Sequence, residues 1–164
     1  MVDRFDLSGK RALITGGGRG LGREMAQAFA EHGADVIIAS RKLDVLEQTA
    51  AEIAEATGRT ITAKACHVGE WEQVSRLADE VYAEFGRVDV LVNNAGMSPL
   101  YESLSTVTED LWRKVIDVNL TGPFRLSALV GERMKEAGAG AIINLSSTAS
   151  LRPGEMELPY GIAK

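Results

Sequence analysis

Short apolar runs alternate with amphipathic stretches along the whole chain. RALIT, from Arg11 to Thr15, reads as a first strand, followed by glycines and a helix from about Leu21 to Glu31. ADVIIAS, Ala34 to Ser40, reads as a second strand, because its length and flanking residues favour a strand over a buried helical turn. Leu43 to Thr57 is rich in Leu, Glu, Gln and Ala, which are good helix formers. TITAKA, Thr60 to Ala65, is short and rich in β-branched residues, a third strand. Val74, Leu77, Ala78 and Val81 recur at helical spacing within Trp71 to Phe85. VDVLVNNAG, Val88 to Gly96, is a strand running into a turn. Thr108 to about Ala137 reads as one long helix with a cap near Thr108, and Pro123 should kink or interrupt it. AIINLSS, Ala141 to Ser147, is a fifth strand.

Strands that are apolar throughout belong in a sheet covered on both faces, which means parallel strands joined by helical crossovers. The expected architecture is a Rossmann-type, doubly wound parallel sheet in three α/β/α layers. Nothing in the pattern suggests a repeat, a linker or a low-complexity segment, so residues 1–164 read as a single domain.

Composition narrows the function. An apolar fraction of 45% and a charged fraction of 25% are those of an ordinary globular domain. A net charge of −5 without a basic tract argues against nucleic acid. No apolar run approaches a membrane span and no signal peptide is visible, so a cytoplasmic location is expected. Cys66 is the only cysteine, so no internal disulfide can form. No cluster of His, Cys and carboxylates has metal-ligand spacing, and no metal is assigned.

Between the first strand and helix stands TGGGRGLG, with Gly16, Gly17, Gly18, Gly20 and Gly22. Glycines permit a tight turn and close approach of a pyrophosphate, and the helix N-terminus offers unpaired N–H groups. A flexible glycine loop without a ligand is the plain alternative, and the strand-to-helix position speaks against it. Ser40-Arg41 ends the second strand where an NAD-binding fold places an acid, and Arg19 lies in the glycine turn. A guanidinium matches a phosphate with two parallel charge-assisted bonds, so NADP(H) is expected over NAD(H).

The last five residues are YGIAK. On a helix Tyr160 and Lys164 share a face. A free phenol titrates near ~10, and a neighbouring ammonium favours the phenolate. Ser147, at the end of the fifth apolar run, can donate to a carbonyl oxygen that gains charge as hydride arrives. Tyr160 would then serve as general acid, or as base in the oxidation direction. Alone, a Tyr-x-x-x-Lys pair is more often a surface feature; Ser147 and the glycine turn make it a reaction centre. The alternative is a nucleotide-binding module without catalysis.

TGGGRGLG, NNAG (Asn93 to Gly96), Asn119, Ser147 and YGIAK, in that order and spacing, resemble the short-chain dehydrogenase/reductase family from about Gly9 to Lys164. The resemblance implies a Rossmann fold and an oxidoreductase that transfers hydride between NADP(H) and an alcohol or ketone. It implies Asn119, Ser147, Tyr160 and Lys164 as catalytic residues, with Asn119 positioning Lys164 through a water-linked relay. It implies cofactor contacts from Gly16, Gly18, Arg19, Gly20, Leu21, Gly22, Ser40, Arg41, Val68, Asn93, Ala95, Gly96, Tyr160 and Lys164. Homo-oligomers, dimers or tetramers, are usual, built on the helix around Asn119 and the helix carrying Tyr160. Sugar acids, oxoacyl thioesters, steroids and small ketones all stay open as substrates.

Two departures stand out. The family usually has an Asp at the adenine amino group where this chain has Cys66-His67-Val68, so His67 reads as a substitute at the rim or a loop residue; His32 reads as structural. Members are also longer, so the C-terminal strands are expected to be missing. A helix that stops at Lys164 should leave its last carbonyls without partners and the sheet edge exposed.

Overall fold

The computed structural model describes residues 4–164; the reading of the first three residues as part of the N-terminal segment lies outside them. Five parallel strands make one sheet: β1 Arg11–Thr15, β2 Asp35–Ser40, β3 Ile61–Ala65, β4 Val90–Asn93 and β5 Ala141–Asn144. Their order is β3-β2-β1-β4-β5. Thus β1 pairs with β2 on one side (Leu13 opposite Ile37) and with β4 on the other (Leu13 opposite Leu91). The chain turns outward in both directions from β1, which creates a crevice at the carboxyl ends of β1 and β4.

Side-chain alternation divides the strands between two cores. Leu13, Ile37, Ala39 and Leu91 face one layer, packing with Val74, Leu77, Ala78 and Val81 of α3 (Trp71–Phe85) and Leu126, Val130 and Met134 of α5 (Gly122–Glu136). Ala12, Ile14, Val36, Ile38 and Val92 face the other, against Ala26 and Ala30 of α1 (Gly20–Glu31) and Leu46, Ala50 and Ile53 of α2 (Leu43–Thr57). Each fully buried Leu or Ile contributes about 2 kcal/mol relative to exposure. The period-2 pattern therefore fixes a three-layer α/β/α arrangement. Helices α2 and α3 stop at Gly58 and Gly86, both left-handed with φ of 68° and 74°.

The long helix expected from Thr108 to about Ala137, interrupted near Pro123, is present from Glu109 to Glu136. α4 spans Glu109–Ile116, a wider π-type turn follows over Asp117–Thr121, and α5 begins at Gly122. The interruption precedes Pro123 instead of centring on it. Pro123 has no N–H for the carbonyl four residues back, and the chain absorbs the loss with one extra residue in the turn, where the Gly122 N–H bonds to the Asp117 carbonyl. Thr108 caps α4 as expected, accepting the Leu111 N–H at 3.2 Å.

β4 and β5 are shorter than their apolar runs, because Asn94 and Leu145 leave the ladder to shape the loops beyond. β5 lies at the sheet edge and is exposed along its whole length, including Ile142 and Ile143. The final helix, α6, covers Leu158–Ala163. Its terminal carbonyl, expected to lack a partner, accepts a hydrogen bond from Ser146 Oγ at 3.0 Å.

Candidate functional site

The glycine turn is held from below by β4. Thr15 Oγ1 receives the backbone N–H groups of Asn94 and Ala95, both at 3.1 Å. Asn94 Nδ2 donates to the Thr15 carbonyl at 2.9 Å and more weakly to that of Gly16. Gly16 has φ of 72°, and a Cβ there would lie 2.8 Å from Asn94 Nδ2. A Cβ on Gly22 would collide with the Gly16 carbonyl and come within 2.6 Å of the same amide. Gly18 packs on Leu46. The outer face of the turn is the opposite: Gly20 has φ of 53° with open space above it, and Leu21 is exposed. Asn94 and Thr15 are thus the residues that shape the turn. The sequence signal for them was a polar pair at the ends of otherwise apolar strands.

This turn fits the pyrophosphate of a dinucleotide. Helix α1 begins at Gly20 without a side-chain cap, so its first N–H groups take no side-chain partner there. Arg19 and Arg41 are exposed, and neither bonds to a carboxylate among the described residues. Ser40, half-buried at the end of β2, gives its carbonyl to the Cys66 N–H at 2.8 Å.

The β3–α3 loop carries one of the departures noted in the sequence. His67 is half-buried, and its Nδ1 accepts the Gly69 N–H at 3.1 Å while its backbone N–H donates to Gln73 Oε1 at 2.9 Å. His67 therefore shapes its own loop. Val68 is buried, and its carbonyl packs so closely on Gly122 that a Cβ there would overlap it. His32 donates from Nδ1 to the Ala28 carbonyl at 2.8 Å, a structural contact. Burial pushes the Cys66 thiol up to about 11.

On the other side of the crevice, Asn93 is buried and donates to Ser127 Oγ and Asn144 Oδ1, both at 2.8 Å, tying β4 to α5 and β5. Asn119, also buried, lies in the π-type turn. Its Nδ2 donates to the carbonyls of Met97 (2.8 Å) and Val115 (2.9 Å), and its Oδ1 accepts the Met97 N–H at 3.0 Å. Gly96 fits between two of the candidate catalytic groups: a Cβ on it would stand 2.9 Å from Asn119 Oδ1 and 3.4 Å from Lys164 Nζ. Asn119, Gly96 and Lys164 therefore converge.

Lys164 Nζ donates to the Leu145 carbonyl at 2.8 Å and lies 5.9 Å from the centre of the Tyr160 ring. Burial holds its ammonium below the usual lysine range. Tyr160 is half-buried on the same turn, and its hydroxyl bonds to no protein group among the described residues. Ser147 caps the 3-10 turn Thr148–Ser150, with its Oγ accepting the Ala149 N–H at 3.2 Å. That leaves the Ser147 proton available for donation. Gly161 brings α6 onto this turn: a Cβ there would be 2.6 Å from the Ala149 carbonyl. Between α5 and β5 opens a cavity of about 340 Å³ bordered by Asn119, Leu120, Phe124, Asn144 and Lys164.

Among the described residues no cluster of His, Cys, Asp or Glu could hold a metal ion, and no helix is long and apolar enough to cross a membrane. Known proteins resemble this chain in sequence and fold. The chain is 34% identical over its whole length to the human protein named dehydrogenase/reductase SDR family member 4, of which it spans 59%. Its fold matches a metagenomic short-chain oxidoreductase crystallised with NADP (TM-score 0.92, 35% identity, 96% of this chain and 71% of that one). It matches equally the L-sorbose reductase of Gluconobacter frateurii, crystallised with NADPH and L-sorbose (TM-score 0.92, 30% identity, 97% and 60%). The chain thus spans about three-fifths of the curated relatives it matches. The family model for short chain dehydrogenases matches residues 10–164, and with the glycine turn, the buried Asn119 and the Tyr160–Lys164 turn in place, the chain belongs to that family of oxidoreductases.

Proposed function

We propose that this chain is a single domain that binds NADP(H) and carries the reaction centre of a dehydrogenase or reductase acting on a small alcohol or carbonyl compound. The observation that carries the reading is the placement of Lys164. Its ammonium is anchored on Leu145, beside Asn119, one helical turn from Tyr160. When bound, the nicotinamide supplies or takes up the hydride.

The remaining work falls to protein groups. N–H groups at the start of α1 and the glycines beneath them receive the pyrophosphate. Arg19 and Arg41, free of acidic partners among the described residues, meet the 2′-phosphate. Crystallised relatives with NADP or NADPH support that preference. Ser147 donates its free proton to the substrate oxygen, and Tyr160 gives or removes the proton at that same oxygen. Lys164 stabilises the Tyr160 oxygen in its charged form, and Asn119 fixes the strand-end loop at Met97 against which Lys164 rests. Exposed Ile162 on α6 supports assembly of the whole protein as a dimer or tetramer through this helix and the helix around Asn119.

The test is Tyr160→Phe in the whole protein, with a panel of alcohols and ketones read by NADPH absorbance. Turnover should fall by at least a thousandfold, while NADPH binding, followed by fluorescence, stays within about twofold. Retained turnover would refute the role of Tyr160; a clear preference for NADH would refute the role of the two arginines.

A further inference from the structure

Tyr101 lies in the connection between β4 and α4, remote in sequence from the helix that carries Tyr160 and Lys164. Its phenolic oxygen nevertheless bonds to the start of that helix twice. The hydroxyl donates to the Glu155 carbonyl at 2.6 Å and accepts the Leu158 N–H at 3.0 Å. Glu155 opens a 3-10 turn that ends at Glu157, and Leu158 is the first residue of α6.

The two partners are three residues apart. In a continuous 3-10 turn the Leu158 N–H would bond to the Glu155 carbonyl directly. Here the Tyr101 hydroxyl is inserted into that bond and satisfies both groups. The backbone breaks at this point: Glu157 has φ of −139° and ψ of 17°, and its side chain does not cap α6. The first N–H of α6 thus takes its partner from a side chain on another segment.

Where a helix sets off from is decided by what holds its first N–H groups, and α6 has no side-chain cap of its own. One turn beyond Tyr160, Lys164 Nζ bonds to the Leu145 carbonyl and Ser146 Oγ to the Lys164 carbonyl. The near end is held by Tyr101, which borders the same small hollow as Pro159 and Tyr160. We propose that Tyr101 is a positioning residue for hydride transfer: by joining the β4–α4 loop to the entry of α6, it fixes where the Tyr160 hydroxyl stands. The inference rests on the function proposed above. The hydroxyl spends its proton on Glu155 and a lone pair on Leu158, so it acts through α6 and not on the substrate.

The experiment is Tyr101→Phe in the whole protein, which removes one oxygen and keeps the ring. Three quantities are read: amide hydrogen exchange, NADPH affinity and stoichiometry by fluorescence titration, and turnover per bound NADPH. Exchange at Leu158 and through α6 should rise roughly tenfold while α1 and α2 keep their protection. NADPH affinity should stay within about twofold, and turnover per bound NADPH should fall roughly tenfold. Normalising to bound cofactor removes any contribution from unfolded protein, which a purely structural role would produce. Unchanged turnover per bound NADPH, or unchanged exchange at Leu158, overturns the proposal. If the unsubstituted protein binds NADPH yet turns over no substrate, the proposed function fails instead, and exchange at Leu158 still decides whether Tyr101 holds α6.

Discussion

The two walls of the crevice are built by different means. On the β1–β2 side, the strands are almost completely buried and the glycine turn is shaped by backbone pressed on backbone, with Gly22 against the Gly16 carbonyl. On the β5–α6 side, the turn that carries Tyr160 and Lys164 is secured by individual donors: Tyr101, Ser146 and Lys164. The first wall resists added volume at its glycines and is pinned from one side by Thr15 and Asn94. The second depends on hydrogen bonds from groups far apart in the chain. A dinucleotide of fixed shape needs the first kind of wall, and a proton donor that must be aimed needs the second.

The sharpest way to break the first wall is a single carbon. In Gly22→Ala the new methyl has nowhere to go, because the Gly16 carbonyl and the Asn94 amide are both inside contact distance. Overpacking at a point where backbone must move should cost about 3 kcal/mol of stability. NADPH affinity should fall by about a hundredfold or more, because the N–H groups that receive the pyrophosphate move with the turn. Thermal unfolding and a fluorescence titration read both. Native affinity in this variant would mean that the cradle is not the binding site.

The matching change in the second wall is Asn119→Ala. It removes the side-chain bonds to the Met97 N–H and to the Met97 and Val115 carbonyls, at a cost of about 2 kcal/mol. Here the loss should appear in turnover per bound NADPH more than in NADPH affinity, the reverse of Gly22→Ala. Equal losses in both quantities for both variants would erase the distinction between the walls.

How far these features could be read from the sequence follows the same division. The first wall was legible because it is local: TGGGRGLG sits between a strand and a helix, and the apolar runs mark β1, β2 and β4. The two-faced core followed from strands that are apolar throughout. The second wall was legible only in its chemistry. Ser147, Tyr160 and Lys164 are named by residue type, but what holds them is long-range. Met97 and Leu145 contribute backbone atoms, which no side-chain pattern announces. Tyr101 is 57 residues from its partner Leu158. The π-type turn escaped for a related reason: Pro123 signals that a bond is missing, whereas the position of the extra residue is decided by Asn119 reaching Met97 and by Gly122 meeting the Val68 carbonyl. Gly161 carries no chemistry within YGIAK, and only its closeness to Ala149 reveals that it seats the helix.

A smaller effect separates the walls by pH. Cys66, buried at the end of β3, has its thiol raised to about 11 by burial, from an ordinary value of 9.0. Below pH 9 the thiol is protonated in the folded and unfolded chain alike, and its contribution is fully present. Between 9 and 11 the unfolded chain releases the proton while the folded chain retains it, so stability falls as pH rises, by about 2 kcal/mol across the window. Lys164 has the opposite sign. Burial lowers its folded value, so the unfolded chain holds the proton longer, and this residue's contribution rises with pH up to the ordinary lysine value. Denaturant unfolding at pH 7, 9 and 10.5 separates the two. Cys66→Ala should flatten the alkaline decline, whereas Lys164→Met should steepen it, since the opposing gain is gone. The same slope in Cys66→Ala and the unsubstituted protein would remove the buried thiol as its source. Because the folded chain suppresses the thiolate, Cys66 should also resist alkylation at pH 8 until denaturant opens the first wall.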